Sequence, residues 1–179
     1  VWDASIASRA SRGRGCRACD GKQVSETNCL QVWFPDLSKQ WHPTKNGDLT
    51  PSDFTSKSTF KAWWKCPNGP DHEWQIAISV RSSGNGCDYC RGQKLSVTNS
   101  LQTVCPDVAK EWHPTKNGEL TPADVLSGSK SKAWWKCPKG PDHEWLAQIG
   151  SRTTEERPGC PSCDGKQVSV TNSLQSLFP

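Results

Sequence analysis

The chain has 179 residues, of which 33% are apolar, with a formal charge of +4, ten cysteines, ten tryptophans and no methionine. Small units with so few apolar residues need a staple, either disulfide or metal, to close a core. No apolar run reaches membrane-spanning length and nothing resembles a signal peptide, which sets membrane insertion aside. The start at Val1 points to processing or to a piece of a longer protein.

Taken in chain order, the sequence reads as small α+β units of about 71–73 residues in tandem. Residues 1–25 read as the C-terminal part of a truncated repeat. They hold Trp2, Ile6 and Arg9, one copy of a Trp-x3-Ile-x2-Arg pattern, followed by Cys16 and Cys19. Residues 26–96 and 97–167 read as complete repeats, and residues 168–179 open a further one, which implies a longer array. Asn28-Cys29-Leu30-Gln31, Asn99-Ser100-Leu101-Gln102 and Asn172-Ser173-Leu174-Gln175 mark the three openings. Cys29 and Cys105 have no counterparts: Ser100 and Ser173 align with the first, Phe34 and Phe178 with the second. Both are expected to be packing residues.

After each opening, Asp107 to Trp112 predicts a short helix with Pro106 before it and Asp107 as its cap. Pro114 and the Asn117-Gly118 turn end it, and Thr121 to Asp124 predicts another helical turn. The flanking stretch runs Trp41-His42-Pro43-Thr44-Lys45-Asn46-Gly47 in one repeat and Trp112-His113-Pro114-Thr115-Lys116-Asn117-Gly118 in the next. His42 and His113 are rival fourth ligands, but each sits between Trp and Pro at a helix end away from any cysteine, so a partly exposed cap or a core-edge histidine is expected instead. Ala133 to Cys137 and Glu144 to Arg152 predict strands joined through a tight knuckle. The link from Arg9, Arg81 or Arg152 to the next cysteine varies from five to seven residues, as at an exposed hairpin tip.

The cysteines fall into ligand spacing. Cys66-x5-His72-x14-Cys87-x2-Cys90 recurs as Cys137-x5-His143-x16-Cys160-x2-Cys163. Each set offers three thiolates and one imidazole, enough to fill a tetrahedral zinc site with protein atoms alone. A closed site is structural, because catalytic zinc keeps a position open for water. Disulfides are the rival reading, but they have no use for a histidine at a repeated offset. Zinc also fits a reducing intracellular compartment, whether nucleus, cytosol or organelle matrix. A second register would join Cys16/Cys19 to Cys66/His72 and Cys87/Cys90 to Cys137/His143. It closes loops of more than forty residues, so loop-closure entropy favours the shorter register and leaves Cys16 and Cys19 an orphan half-site. A redox role for the Cys-x-x-Cys pairs lacks the βαβ context it needs.

These motifs together resemble a family of tandem treble-clef or zinc-ribbon repeats of unknown function. The resemblance rests on the Trp-His-Pro-Thr-Lys-Asn-Gly stretch, the Trp-Trp-Lys-Cys strand, the His-Glu-Trp turn and the Gly-Cys-Pro-x-Cys knuckle. It implies that Cys66, His72, Cys87, Cys90, Cys137, His143, Cys160 and Cys163 ligate two structural Zn²⁺ ions. Members are sometimes joined to nuclease-like domains, which suggests nucleic acid by association. Cys87-Asp88-Tyr89-Cys90 departs from the pattern by lacking the proline, a change that leaves the ligand atoms in place.

Strand alternation puts Ala62, Trp64 and Cys66 on one face and Lys61, Trp63 and Lys65 on the other; Ala133, Trp135 and Cys137 oppose Lys132, Trp134 and Lys136 likewise. The cysteine face is core. A ring between lysines on the other face suits stacking on single-stranded nucleic acid, unless the lysine stems and a helix cover it. Arg9, Arg12, Arg14 and Arg17 add a basic stretch, giving residues 1–25 a charge of +3 against +1 for 26–96 and zero for 97–179. Two zinc sites, each at −1, lower the total to about +2, modest for a phosphate binder. Three functions compete: a nucleic-acid-binding array, a structural or adaptor subunit of a protein assembly, and an enzyme. The enzyme is weakest, for no small-molecule substrate site recurs and a closed ligand set leaves Glu73 and Glu144 nothing to activate.

Overall fold

The computed structural model describes Ala18 and residues 23–178. The chain divides into two units, Val1–Asp88 and Tyr89–Pro179. In the first, α1 (Leu30–Trp33) and α2 (Pro35–Ser38) precede the strands β1 (Lys61–Lys65) and β2 (Glu73–Ala77), and α3 (Ile78–Ser82) follows. In the second, α4 (Leu101–Val104), α5 (Pro106–Ala109), β3 (Lys132–Lys136), β4 (Glu144–Gln148) and α6 (Ile149–Arg152) repeat that order, and α7 (Leu174–Leu177) opens again. This is a small α+β fold in tandem.

The strands form because Ala-Trp-Trp-Lys alternates between a buried and an open side. β1 pairs with β2 antiparallel, setting Trp64 opposite Trp74, and β3 pairs with β4, setting Trp135 opposite Trp145. All four indoles are buried. Trp64 donates its Nε1–H to the Ile76 carbonyl at 3.2 Å and Trp135 to that of Ala147 at 3.1 Å, so neither loses a hydrogen bond on burial. Leu101, Val108, Ala133 and Ile149 close the core of the second unit around them. Leu101, Val108 and Ile149 contribute roughly 1.5–3 kcal/mol each and Ala133 less, which is thin cover for a unit of this size.

Three expectations need correction. The segment Glu144 to Arg152 is a strand only as far as Gln148, and α6 supplies the rest. Ile149 and Arg152 are both buried at a separation of three, which a helix places on one side and a strand would split. Second, α5 starts at Pro106 itself, not after it, because proline's fixed φ suits the first helical position. Cys105 stands at the cap, Asp107 pairs with Lys110 at 2.7 Å, and Trp112 has left the helix to bridge Trp135. Third, the turn at Thr121 to Asp124 is a single 3-10 turn in the first unit, Pro51–Asp53, and a plain turn in the second. In both, an aspartate accepts from the threonine backbone, at 2.7 Å for Asp53 and 3.0 Å for Asp124.

The Trp-His-Pro-Thr-Lys-Asn-Gly stretch wraps the outer edge of the hairpin. Trp41 meets Trp64 edge-on at 5.4 Å and 83°, and Trp112 meets Trp135 at 5.4 Å and 85°. Asn46 presents its side-chain amide to the strand edge, accepting from Trp63 N–H at 2.8 Å and donating to Trp63 C=O at 2.9 Å. Asn117 treats Trp134 the same way, at 2.8 and 2.9 Å. Gly47 and Gly118, at φ +61° and +62°, turn the chain away.

His42 and His113 are buried, at 5% and 4% exposure, as core-edge histidines and not as partly exposed caps. Nδ1 of His42 accepts from the Thr44 and Lys45 amides at 3.2 and 3.1 Å, closing the loop from inside. That leaves the proton on Nε2, which faces Glu73 at 3.2 Å. Nε2 of His113 faces Glu144 at 3.0 Å.

Candidate metal centres

Each hairpin carries two ligands at its turn. Cys66 follows β1 and His72 precedes β2, tied by a Cys66 N–H to His72 C=O bond of 3.0 Å; Cys137 and His143 repeat it at 2.9 Å. The second pair comes from the loop after α3 or α6, bringing Cys87 and Cys90 to the first knuckle and Cys160 and Cys163 to the second. In both groups the four ligand atoms lie within 4.8 Å of one another. The grouping is that of the short register.

The spacing fits a tetrahedron around zinc. With Zn–S of about 2.3 Å and Zn–N of about 2.0 Å, the edges are about 3.8 Å between sulfurs and about 3.5 Å from sulfur to nitrogen. Cys137 and Cys163 sulfurs are 3.8 Å apart, while Nδ1 of His143 is 3.6 Å from Cys160 Sγ and 3.4 Å from Cys163 Sγ. In the first group Cys87 Sγ is 3.7 Å from His72 Nδ1. Desolvation, and after it the hydrogen bonds to Cys137 and Cys160, push the Cys163 thiol up to about 11, the cost of crowding sulfurs that a divalent cation offsets. Two closed Cys3His zinc sites account for all eight residues.

Gly69 and Gly140 are required where they stand. A Cβ on Gly69 would lie 2.6 Å from the His72 imidazole, and one on Gly140 closer still to that of His143. The knuckle therefore folds flat against its own histidine ligand.

A family model described as "Probable Treble clef zinc finger domain" matches residues 37–93 and 108–166, well over half of the chain. The chain belongs to that family. No curated protein matches it. In both treble clef units the metal closes a knuckle on a hairpin against a second knuckle in the loop beyond it.

The motif Trp-x3-Ile-x2-Arg gains its meaning here. Arg152, 2% exposed, lies between the Trp135 and Trp145 rings at 5.4 and 5.1 Å and bonds Glu111 and the Pro158 carbonyl. Arg81 sits over Trp64 and Trp74 at 5.8 and 5.7 Å and donates to Gln40 at 2.7 Å and the Asn85 carbonyl at 2.6 Å. Each arginine pins the link leading to the second pair of ligands. Sequence reading registered the pattern without its role, although Gln40/Arg81 and Glu111/Arg152 share one separation.

Glu73 and Glu144 serve the fold. Hydrogen bonds from Lys45, Lys65 and His42 hold Glu73 down to about 2, and those from Lys116, His113 and Lys136 do the same for Glu144. Cys29 is buried and Cys105 packs against the core, consistent with packing roles. Cys16, Cys19, Arg9, Arg12, Arg14 and Arg17 lie outside the described residues.

Trp63 and Trp134 are half-buried on the open face of their hairpins. The cation over each ring comes from the wrapping loop, not from the strand: Lys45 Nζ lies 4.7 Å from the Trp63 ring and Lys116 Nζ 4.7 Å from that of Trp134. Lys65 and Lys136 reach across to Glu73 and Glu144 at 3.1 and 3.4 Å, while Lys61 and Lys132 are exposed.

Proposed function

We propose that this protein is a non-catalytic zinc-stapled array that binds nucleic acid in single-stranded form through the open hairpin faces. The observation that carries this reading is the same lysine-held tryptophan in both units, Lys45 on Trp63 and Lys116 on Trp134. Around each ring stand three lysines against one glutamate, with Lys61 and Lys132 exposed beside it. A fixed ring with cations at its rim stacks on any base and takes the flanking phosphate. The ion pairs to Glu73 and Glu144 hold Lys45, Lys65, Lys116 and Lys136 in place ahead of binding.

One observation favours a protein partner instead. Leu146, half exposed, stands opposite Trp134 where Gln75 stands opposite Trp63, so the second face is the more apolar. An adaptor within a protein assembly would use such a face.

Zinc-loaded protein titrated with single-stranded RNA and DNA over a salt series separates them. The nucleic-acid reading expects affinity that falls steeply with salt and drops about tenfold in W63A and W134A, at about 1–3 kcal/mol per stacked base. Absence of binding at low salt would reject it in favour of the adaptor.

A further inference from the structure

His143 uses only one of its ring nitrogens toward the sulfurs. Its Nδ1 faces Cys160 and Cys163, and its Nε2 lies 2.7 Å from Thr171 Oγ1 and 3.1 Å from Ser169 Oγ. His143 and Ser169 are 2% and 4% exposed, so the bond between them is shielded from water, while Thr171 reaches His143 from the surface side. A ligand at Nδ1 leaves the proton on Nε2, which must then donate. Thr171 Oγ1 accepts from it at 2.7 Å, and a hydrogen bond of 2.8 Å joins the Thr171 and Ser169 hydroxyls.

The acceptors belong to a different part of the pattern from the site. Ser169-Val170-Thr171-Asn172 is the third copy of a segment that, as Ser25-Glu26-Thr27-Asn28 and Ser96-Val97-Thr98-Asn99, leads into the first helix of a complete repeat. It grips both knuckles of the second site. Val170 N–H donates to Asp142, next to His143, at 2.9 Å. Asn172 donates to the carbonyl of Ser162, inside the Cys160/Cys163 turn, at 2.7 Å and accepts from Ser169 N–H at 2.7 Å. The inner bonds recur in the other copies: Asn99 reaches Tyr89 C=O at 2.8 Å, Asn28 reaches Ala18 C=O at 2.5 Å, and each accepts from its own serine amide. Tyr89 and Ala18 each precede the second cysteine of their pair, as Ser162 does.

We propose that the Ser-x-Thr-Asn segment at 169–172 is a metal-set joint: its hydroxyls read the proton on His143 Nε2, so that a loaded zinc site holds the opening helix of the following repeat in place. Ser169 and Thr171 are positioning residues, acting through His143. α7 begins two residues after Asn172, with Ser173 as its cap accepting from Ser176 N–H at 3.2 Å. The zinc site thus orders chain on both sides of itself, its own hairpin and the helix that comes next.

The test compares the zinc-loaded full chain with its S169A/T171V variant. Three readouts are taken: zinc stoichiometry by native mass spectrometry, amide exchange over 170–178, and the ¹⁵N NMR signal of His143 Nε2–H. The expected result is two zinc ions retained, exchange across α7 about tenfold faster, and the imidazole N–H signal lost, with T171S restoring most of the protection. Exchange within twofold of the parent chain, or an N–H signal that persists, would overturn the proposal. Should the double variant lose its second zinc, T171V alone carries the same comparison, since Thr171 lies at the surface.

Discussion

At the scale of single residues, the metal ligands are the smaller part of what the sites require. Gly140 has no freedom to gain a side chain, because its Cβ would enter the His143 ring. G140A is expected to lower zinc affinity at one of the two sites by about tenfold or more while leaving the other unchanged, read by chelator competition. Arg152 has two parts to its role, a cation between indoles and a donor to Glu111. R152A should cost on the order of 3 kcal/mol in denaturant unfolding of its unit, since it empties the sandwich and strips Glu111 of its partner. E111Q should cost far less, because the first unit works with Gln40 at that place. Equal losses from the two variants would mean the charge, not the packing, matters.

At the scale of elements, Asn117 stands in for a third strand. N117A removes two hydrogen bonds from the edge of β3 and should destabilise the second unit by about 1–3 kcal/mol in thermal or denaturant unfolding. An unchanged midpoint would mean water replaces the amide without loss. This scale also shows what was legible in advance. The eight ligands, the strand that carries Cys66 or Cys137 and the burial of Trp64 and Trp135 were readable, because a spacing and a two-residue alternation are local signals. The turn of Glu144–Arg152 from strand to helix was not, since four residues are too few for a helical period to stand out. Nor was the partner of His42 and His113 readable, because it is a glutamate 31 positions further along each repeat. The lysine over each tryptophan was misplaced for a similar reason. Lys61 and Lys65 flank Trp63 in sequence, but the loop brings Lys45 to the ring.

For the whole molecule, metal and fold are one quantity. Each unit buries few large side chains, so its metal-binding free energy, on the order of 10 kcal/mol, is its folding free energy. C137A should bind one zinc per chain instead of two and lose the folded spectrum of the second unit; retention of both would contradict this. The asparagine that closes the strand edge matters most in a chain built this way. Consecutive repeats carry the same Lys-Ala-Trp-Trp-Lys strand, tethered at a high local concentration that invites mispairing between copies. By filling the backbone positions of Trp63 and Trp134 from within the same repeat, Asn46 and Asn117, with the loop backbone beside them, close that edge of each hairpin to its twin. Each copy can then finish folding before the next emerges, and an array can lengthen by duplication without each added repeat becoming a template for swapping with the last.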